Sequence, residues 1–211
     1  SRGENFYEMM RKGAEIMQEL PHPNIIRCFE SFESKDRHFS ILEYIDGGSL
    51  EQLLNKERLD EPTIVRILEQ MLMALCTLKD HRIVHCDVKP RNIFLRKDGS
   101  IALGGFRYAR RMFHDDEGGS YLGGECRQYA PPEILLAMPC DYSADIWSLG
   151  IVLYEMCTGQ FPFKSRQDSF RGKYTSINSN VNGTIQRMIQ MMLQPEKEMR
   201  PTARDLLFIL S

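Results

Sequence analysis

The polar residues best suited to chemistry lie together in the stretch 83–95. Asp87, Lys89 and Asn92 fall close together there, with apolar runs on both sides. A carboxylate can accept a hydroxyl proton, an ammonium group can neutralise a transferring phosphoryl group, and an amide can help to hold a metal. The apolar flanks favour a packed loop that carries these groups. The alternative interpretation is a surface turn closed by the Lys-Pro pair.

Composition and charge are those of an ordinary soluble domain and do not by themselves indicate a function. The 211 residues suffice for one domain with a full core. The hydrophobic content of 42% and the charged content of 27% are typical of a soluble globular protein. A net charge of −2 favours neither nucleic acid nor a membrane surface as a partner. No apolar run approaches the ~18 residues of a membrane span, so we expect no membrane attachment.

The cysteines indicate a reducing compartment. They are scattered, without a Cys-x-x-Cys pair, which favours free thiols over disulfides or a zinc site. We therefore expect a cytoplasmic protein, with association with the cytoskeleton as a further expectation. The six positions are Cys28, Cys76, Cys86, Cys126, Cys140 and Cys157.

Hydrophobic periodicity predicts a mixed α and β chain in which helices dominate. Helices are predicted over 4–20, 50–55, 61–79, 131–138, 143–158, 182–193 and 202–210. Strands are predicted over 25–32, 38–44, 93–95 and 100–103. Residues 104–129 are polar and glycine-rich, which predicts a long loop.

Several short motifs resemble those of the eukaryotic protein kinase family, and the wording around Asp87 is most similar to the NIMA-related Ser/Thr kinases. The resemblance implies an α+β protein kinase-like fold, with a mainly helical C-lobe and a reduced or truncated N-lobe. Residues 1–45 would hold the family's helix C, its fourth and fifth strands and the hinge, and 46–211 the C-lobe. The motifs are His22-Pro23-Asn24-Ile25-Ile26, Leu42-Glu43-Tyr44-Ile45, Gly47-Gly48-Ser49-Leu50, His85 to Asn92, Ala130-Pro131-Pro132-Glu133, Asp145 to Gly150 and Arg200-Pro201-Thr202.

The resemblance also assigns roles to individual residues. Asp87, Lys89 and Asn92 would be the catalytic group. A nucleotide would contact Leu42, Glu43, Tyr44 and Ile45 in the hinge, with Phe94 as the floor of the adenine pocket. The structural residues would be His85 and Phe106 in the apolar spine, Asp145 bracing the loop backbone, and Glu133 paired with Arg200.

Other positions depart from the family pattern at the places where charge is needed. Gly13 stands where helix C would carry a Glu, and Gly105 stands where the Asp of Asp-Phe-Gly would bind magnesium. Phe106 is retained, but Arg107 replaces the final glycine, and Cys86 replaces the Arg of His-Arg-Asp. One hypothesis is that Arg107 replaces the metal electrostatically by pairing with Asp87. The alternative is that its side chain points into solvent.

The segment after these motifs departs from the pattern too. Glu125 and Cys126 stand where the family has Gly-Thr, so the shelf for a peptide substrate is altered. Without the Arg at position 86, a phosphate on Ser120 or Tyr121 would lack its usual receptor. His114 and the acidic run after it could suggest a metal site, but a solvated acidic loop is the expectation.

Taken together, the motifs predict a pseudokinase that acts as a scaffold or allosteric regulator. The alternative is a Ser/Thr kinase with weak or unconventional ATP-dependent transfer that uses Asp87. No cofactor or metal is expected, although ATP bound without high-affinity magnesium stays open. The expected partner is a protein, either an active kinase or a cytoskeletal complex. Neither a glycine-rich loop nor a strand lysine precedes residue 4, and whether the whole protein has them is left open.

Overall fold

A computed structural model describes residues 2–35, 37–112, 128–139, 141–177 and 180–211. The helices in that part of the chain are α1 (Arg2–Glu19), α2 (Leu50–Leu54), α3 (Glu61–Asp80), α4 (Pro132–Leu135), α5 (Ser143–Thr158), α6 (Arg166–Phe170), α7 (Gly183–Met192) and α8 (Ala203–Leu210). The strands are β1 (Cys28–Ser34), β2 (Arg37–Leu42), β3 (Ile83–Val84), β4 (Ile93–Leu95), β5 (Ile101–Leu103) and β6 (Arg110–Arg111).

Helix α3 forms where its sequence provides a start signal and one apolar face. The side chain of Asp60 accepts a hydrogen bond of 3.1 Å from the Thr63 amide, and Pro62 lies in the first turn. The apolar residues of the helix recur at steps of three and four and are buried. That face packs against α5 and α8. The helix is followed by β3 and then by the loop that carries Asp87.

Helix α5 is buried on nearly every side, as its apolar sequence predicts. Trp147 is fully buried and stacks on Phe163, with 5.4 Å between the ring centroids. A Cβ atom at Gly150 would lie 2.8 Å from the Met192 Cβ, so the glycine permits the close approach of α7. The helix ends at Gly159, whose φ of 63° suits a glycine cap. The helix thereby forms the centre of the helical lobe.

The strands form three separate two-stranded sheets in the described residues: β1 with β2, β3 with β6, and β4 with β5, all antiparallel. The first hairpin begins later than predicted, since Ile25 and Ile26 do not belong to it. Instead, the Ile26 amide donates a 2.9 Å hydrogen bond to the Leu103 carbonyl, and Ile25 bridges to the same residue. Their apolar character therefore reflects burial against β5, which ties the link after α1 to the helical lobe.

Several short elements were missed in the predictions. The interval 104–129 includes a 3₁₀ turn at Phe106–Tyr108 and the strand β6, while 113–127 lie outside the described residues. Helix α6 was also not predicted. These segments are too short for a periodic pattern to develop. The α+β fold class of a protein kinase domain is confirmed, while the division at residues 45 and 46 stays a prediction.

Candidate active site

A buried carboxylate of α5, that of Asp145, holds the backbone of the loop after β3. Asp145 accepts hydrogen bonds from the amides of His85, at 2.7 Å, and of Cys86, at 2.9 Å. Burial raises the pKa of Asp145 to about 7, although the two amides act in the lowering direction. These bonds hold Cys86 at a φ of 63°, a backbone conformation that residues other than glycine seldom adopt. Asp145 thus holds the loop backbone in the position that the family resemblance implies.

The ring of His85 links the loop to the segment after β5. Its Nε2 lies 2.9 Å from the Gly104 carbonyl, and its Nδ1 accepts a 3.2 Å hydrogen bond from the Asp87 amide. These partners require a neutral ring with the proton on Nε2. Burial lowers the pKa of His85 to about 4. The ring also meets Phe106 edge to face, with 4.7 Å between centroids.

Asp87, Lys89 and Asn92 form one hydrogen-bonded group. The Lys89 ammonium lies 2.8 Å from each Asp87 oxygen, and Asn92 Nδ2 donates to Asp87 Oδ2 at 2.8 Å. Asn92 Nδ2 also donates to the Asp87 carbonyl at 2.8 Å. The side chains of Lys89 and Asp87 are only 13% and 11% exposed. Both oxygens of the candidate base therefore already have charged or polar partners from the same loop.

The position that would supply a magnesium carboxylate holds a glycine, and the Asn92 side chain lies against it. Gly105 has a φ of 81°, which favours glycine over residues that carry a Cβ. A Cβ atom built there would lie 2.3 to 2.6 Å from the Asn92 side-chain atoms. An aspartate here would need a left-handed backbone, which Asp tolerates better than most residues, and a shift of the Asn92 side chain. Magnesium prefers several oxygen ligands in octahedral geometry, and the residues at this position do not fit that requirement.

Helix α1 packs directly on the 3₁₀ turn that follows Gly105. A Cβ atom at Gly13 would lie 2.6 Å from the Phe106 carbonyl oxygen, so only glycine fits at this distance. The nearest glutamate in the sequence, Glu15, instead pairs with Arg11 at 2.5 Å on the exposed side. Gly13 thus makes a close contact with the backbone of the turn, and a larger side chain at this position would require α1 to shift.

Arg107 lies in an aromatic environment. Its guanidinium carbon lies 4.9 Å from the centre of the Phe6 ring and 4.6 Å from that of Tyr108, and the guanidinium donates to the Tyr108 hydroxyl. Such contacts are favourable cation–π interactions. The structure therefore places the half-buried Arg107 against Phe6 of α1 and Tyr108, which is neither the pairing with Asp87 nor the solvent-facing position considered from the sequence.

The predicted hinge residues lie at the end of β2 and just beyond it. Leu42 is 39% exposed and Tyr44 is 89% exposed. The Glu43 carboxylate receives hydrogen bonds of 2.8 and 3.0 Å from the Arg96 guanidinium. Phe94 is half-buried with its ring against Gly104, where a Cβ atom would lie 2.8 Å away. Nucleotide contact at these residues and at Ile45 stays a prediction.

A second buried charge pair fixes the segment before α5. Arg200 donates to both carboxylate oxygens of Glu133, at 2.7 and 2.8 Å, and the two side chains are 0% and 5% exposed. Arg200 also donates to the carbonyls of Gln194, Pro195 and Ser143. The ion pair that the resemblance implies is therefore present, with the hydrogen bonds that a buried charge needs.

The predictions overlooked a polar contact between Tyr129 and Glu155 of α5. The Tyr129 hydroxyl donates a 2.9 Å hydrogen bond to Glu155, and burial raises the pKa of Glu155 to about 7. A glutamate within the otherwise apolar run of α5 was the signal that could have revealed it.

Several predicted features fall on positions 113–127 and 140. His114 and the acidic run, Ser120, Tyr121, Glu125, Cys126 and Cys140 lie outside the described residues. Cys28, Cys76, Cys86 and Cys157 are free thiols. Within the described ranges, no three His, Cys, Asp or Glu side chains are grouped to hold a metal ion. Across the same ranges, no helix has the length and apolar character needed to cross a membrane.

Sequence comparisons agree with the fold and the arrangement of the loop. The family model described as "Protein kinase domain" matches residues 1–208. The chain therefore belongs to the protein kinase family.

Among its relatives are NIMA-related kinases. The chain is 34% identical to the mouse serine/threonine-protein kinase Nek5, over 91% of the chain and 32% of that protein. It is 31% identical to the mouse serine/threonine-protein kinase Nek3, over 93% of the chain and 40% of that protein. It is also 38% identical to an aurora kinase of Yarrowia lipolytica, over 76% of the chain and 43% of that protein. The chain thus spans less than half the length of each of these relatives.

Proposed function

We propose that this domain is a pseudokinase, which binds and organises a protein partner without effective phosphoryl transfer. The observation that carries the proposal is the contact between Gly105 and Asn92, where a Cβ atom would come within 2.3 Å of the amide. Phosphoryl transfer by kinases depends on positioned metal ions that neutralise the developing charge. A glycine held against the remaining metal-ligand candidate supplies no such carboxylate.

The packing of α1 supports the same proposal. In an active kinase a helix glutamate holds the strand lysine that contacts the phosphates. Gly13 lies so close to the Phe106 carbonyl that this glutamate could be accommodated only if α1 moved away from the 3₁₀ turn. The residues that pack the domain are retained, while glycine stands at the two positions, 13 and 105, where the family resemblance implies a carboxylate, which favours a role in binding. The candidate partners remain an active kinase or a cytoskeletal complex.

One observation favours a second candidate, which is slow, unconventional transfer by the loop itself. Asp87 and Lys89 remain adjacent at 2.8 Å, the arrangement that would suit a base beside a phosphoryl group. The two functions are separated by a transfer assay with labelled ATP and a protein substrate, using Asp87→Asn as the matched variant. The proposed function predicts no difference between the two proteins. Incorporation that the native chain shows and the variant lacks would establish the second candidate.

A further inference from the structure

The outer face of the β1–β2 hairpin carries an exposed aromatic pair. Phe32 and Phe39 are cross-strand partners whose rings stack with 5.4 Å between centroids, and each side chain is 42% exposed. Ile41 lies on the same face and is 47% exposed. Residues on one face of an antiparallel pair alternate along each strand. The hairpin therefore presents a small apolar face to solvent.

The opposite face of the hairpin has a different character. It carries the partly buried Ser31, His38 and Ser40, together with the exposed Glu33 and with Leu42, which is 39% exposed. The His38 Nε2 lies 3.2 Å from the Ser31 hydroxyl and 3.1 Å from the Ser40 hydroxyl. The inner face is thus mostly polar, and the stacked pair of phenylalanines is on the side away from it.

The charges on the outer face are arranged symmetrically about the aromatic pair. Glu30 pairs across the strands with Ile41 at one end of the face, and Arg37 pairs with Ser34 at the other end. Glu30 and Arg37 are both exposed, and neither has an ion-pair partner among the described residues. The face therefore has an acidic end, an aromatic centre and a basic end.

We propose that this face binds a second copy of the same chain as a two-fold symmetric dimer. If the two-fold axis lies in the plane of the interface and is perpendicular to the strands, the acidic end of one copy lies over the basic end of the other. Glu30 of one copy then lies at the end occupied by Arg37 of the other, and the phenylalanines meet at the centre. A two-fold axis along the strands would bring the two Glu30 side chains together. The charges thus select one of the two arrangements.

The strength of this dimer follows from the size of the face. Two short strands give an interface at the small end of the range for protein complexes. The dimer should therefore dissociate on dilution and weaken with added salt, because the ion pairs are near the surface. The self-association does not depend on whether the domain transfers phosphate.

The test is analytical ultracentrifugation of the native chain over a wide range of concentrations, beside a set of variants. A monomer–dimer equilibrium is expected. Glu30→Arg and Arg37→Glu should each weaken the dimer about tenfold, since each reverses two exposed ion pairs. The double variant should restore the native dissociation constant, because it exchanges the charges. Phe39→Ser should abolish the dimer.

A matched control uses an apolar residue on another surface. Phe208 on α8 is 83% exposed, and Phe208→Ser should leave the equilibrium unchanged. Circular dichroism and thermal unfolding check that each variant is folded. A native chain that stays monomeric at all concentrations overturns the proposal. A dimer that neither charge reversal weakens, or that the double variant fails to restore, overturns it equally.

Discussion

The contact between α1 and the 3₁₀ turn predicts an unusual result for Gly13→Ala. In an ordinary helix interior this change stabilises the protein by about 1 kcal/mol. Here the new Cβ atom would lie 2.6 Å from the Phe106 carbonyl oxygen, which belongs to the backbone and cannot rotate away. Overpacking of this kind costs about 1–3 kcal/mol. We therefore expect a net loss of about 1 kcal/mol, obtained by subtracting the helix gain from the middle of that range.

The assay is thermal unfolding followed by circular dichroism. For a domain of this size, 1 kcal/mol corresponds to roughly 2–4 °C in Tm. Gly183→Ala is the matched control, because Gly183 begins α7 and nothing lies within 4 Å of its Cβ position. The control should leave Tm unchanged or raise it slightly. If Gly13→Ala raised Tm as a solvent-facing substitution would, the close packing of α1 on Phe106 would be refuted.

Three further outcomes follow from the site. Gly105→Ala should lower stability by about 1–2 kcal/mol through its left-handed backbone alone. Gly105→Asp should cost less, because Asp tolerates that backbone better, and metal-dependent ATP stabilisation should appear in neither. His85 has a folded pKa of about 4 against an ordinary 6.5; its contribution is therefore complete above pH 6.5 and falls towards pH 4, with a loss of about 2 kcal/mol at pH 5. The free energy of unfolding, measured with denaturant across this pH range, should show this slope in the difference between the native chain and His85→Gln, because the opposite slopes from Asp145 and Glu155 are common to both proteins and cancel. Glu133→Ala should cost about 3–5 kcal/mol because it leaves Arg200 buried without its partner, whereas Asp80→Ala, which removes an exposed pair with Arg204, should cost less than about 1 kcal/mol.

Much of the fold could be predicted because its helices are long and their patterns are strong. The bounds of α3 and α5 follow from capping residues and continuous apolar faces, and the structure places them within a residue of the predictions. The start of the first hairpin was wrong because Ile25 and Ile26 are apolar for another reason, namely burial against β5. A one-dimensional pattern reports that a residue is buried, but not which element buries it.

The sequence indicates which positions belong to the candidate site, but it does not show how their side chains are arranged. The sequence places Gly13 and Gly105 at motif positions that normally carry charge. It does not reveal that a side chain at either position would overlap the Phe106 carbonyl or Asn92. It also left open the direction of Arg107, which is set by Phe6 and Tyr108. Contacts between residues distant in sequence decide these details, so only the folded chain shows them.

The most direct test of the pseudokinase proposal is a thermal shift titration with ATP, in magnesium and in EDTA. A ligand at a hundred times its dissociation constant stabilises a protein by about 2.7 kcal/mol, which gives a readily measured rise in Tm. With Gly105 against Asn92, we expect the two titrations to coincide. A rise in Tm that requires magnesium, and that is lost in Asn92→Ala while the apo stability of that variant is retained, would contradict the proposal.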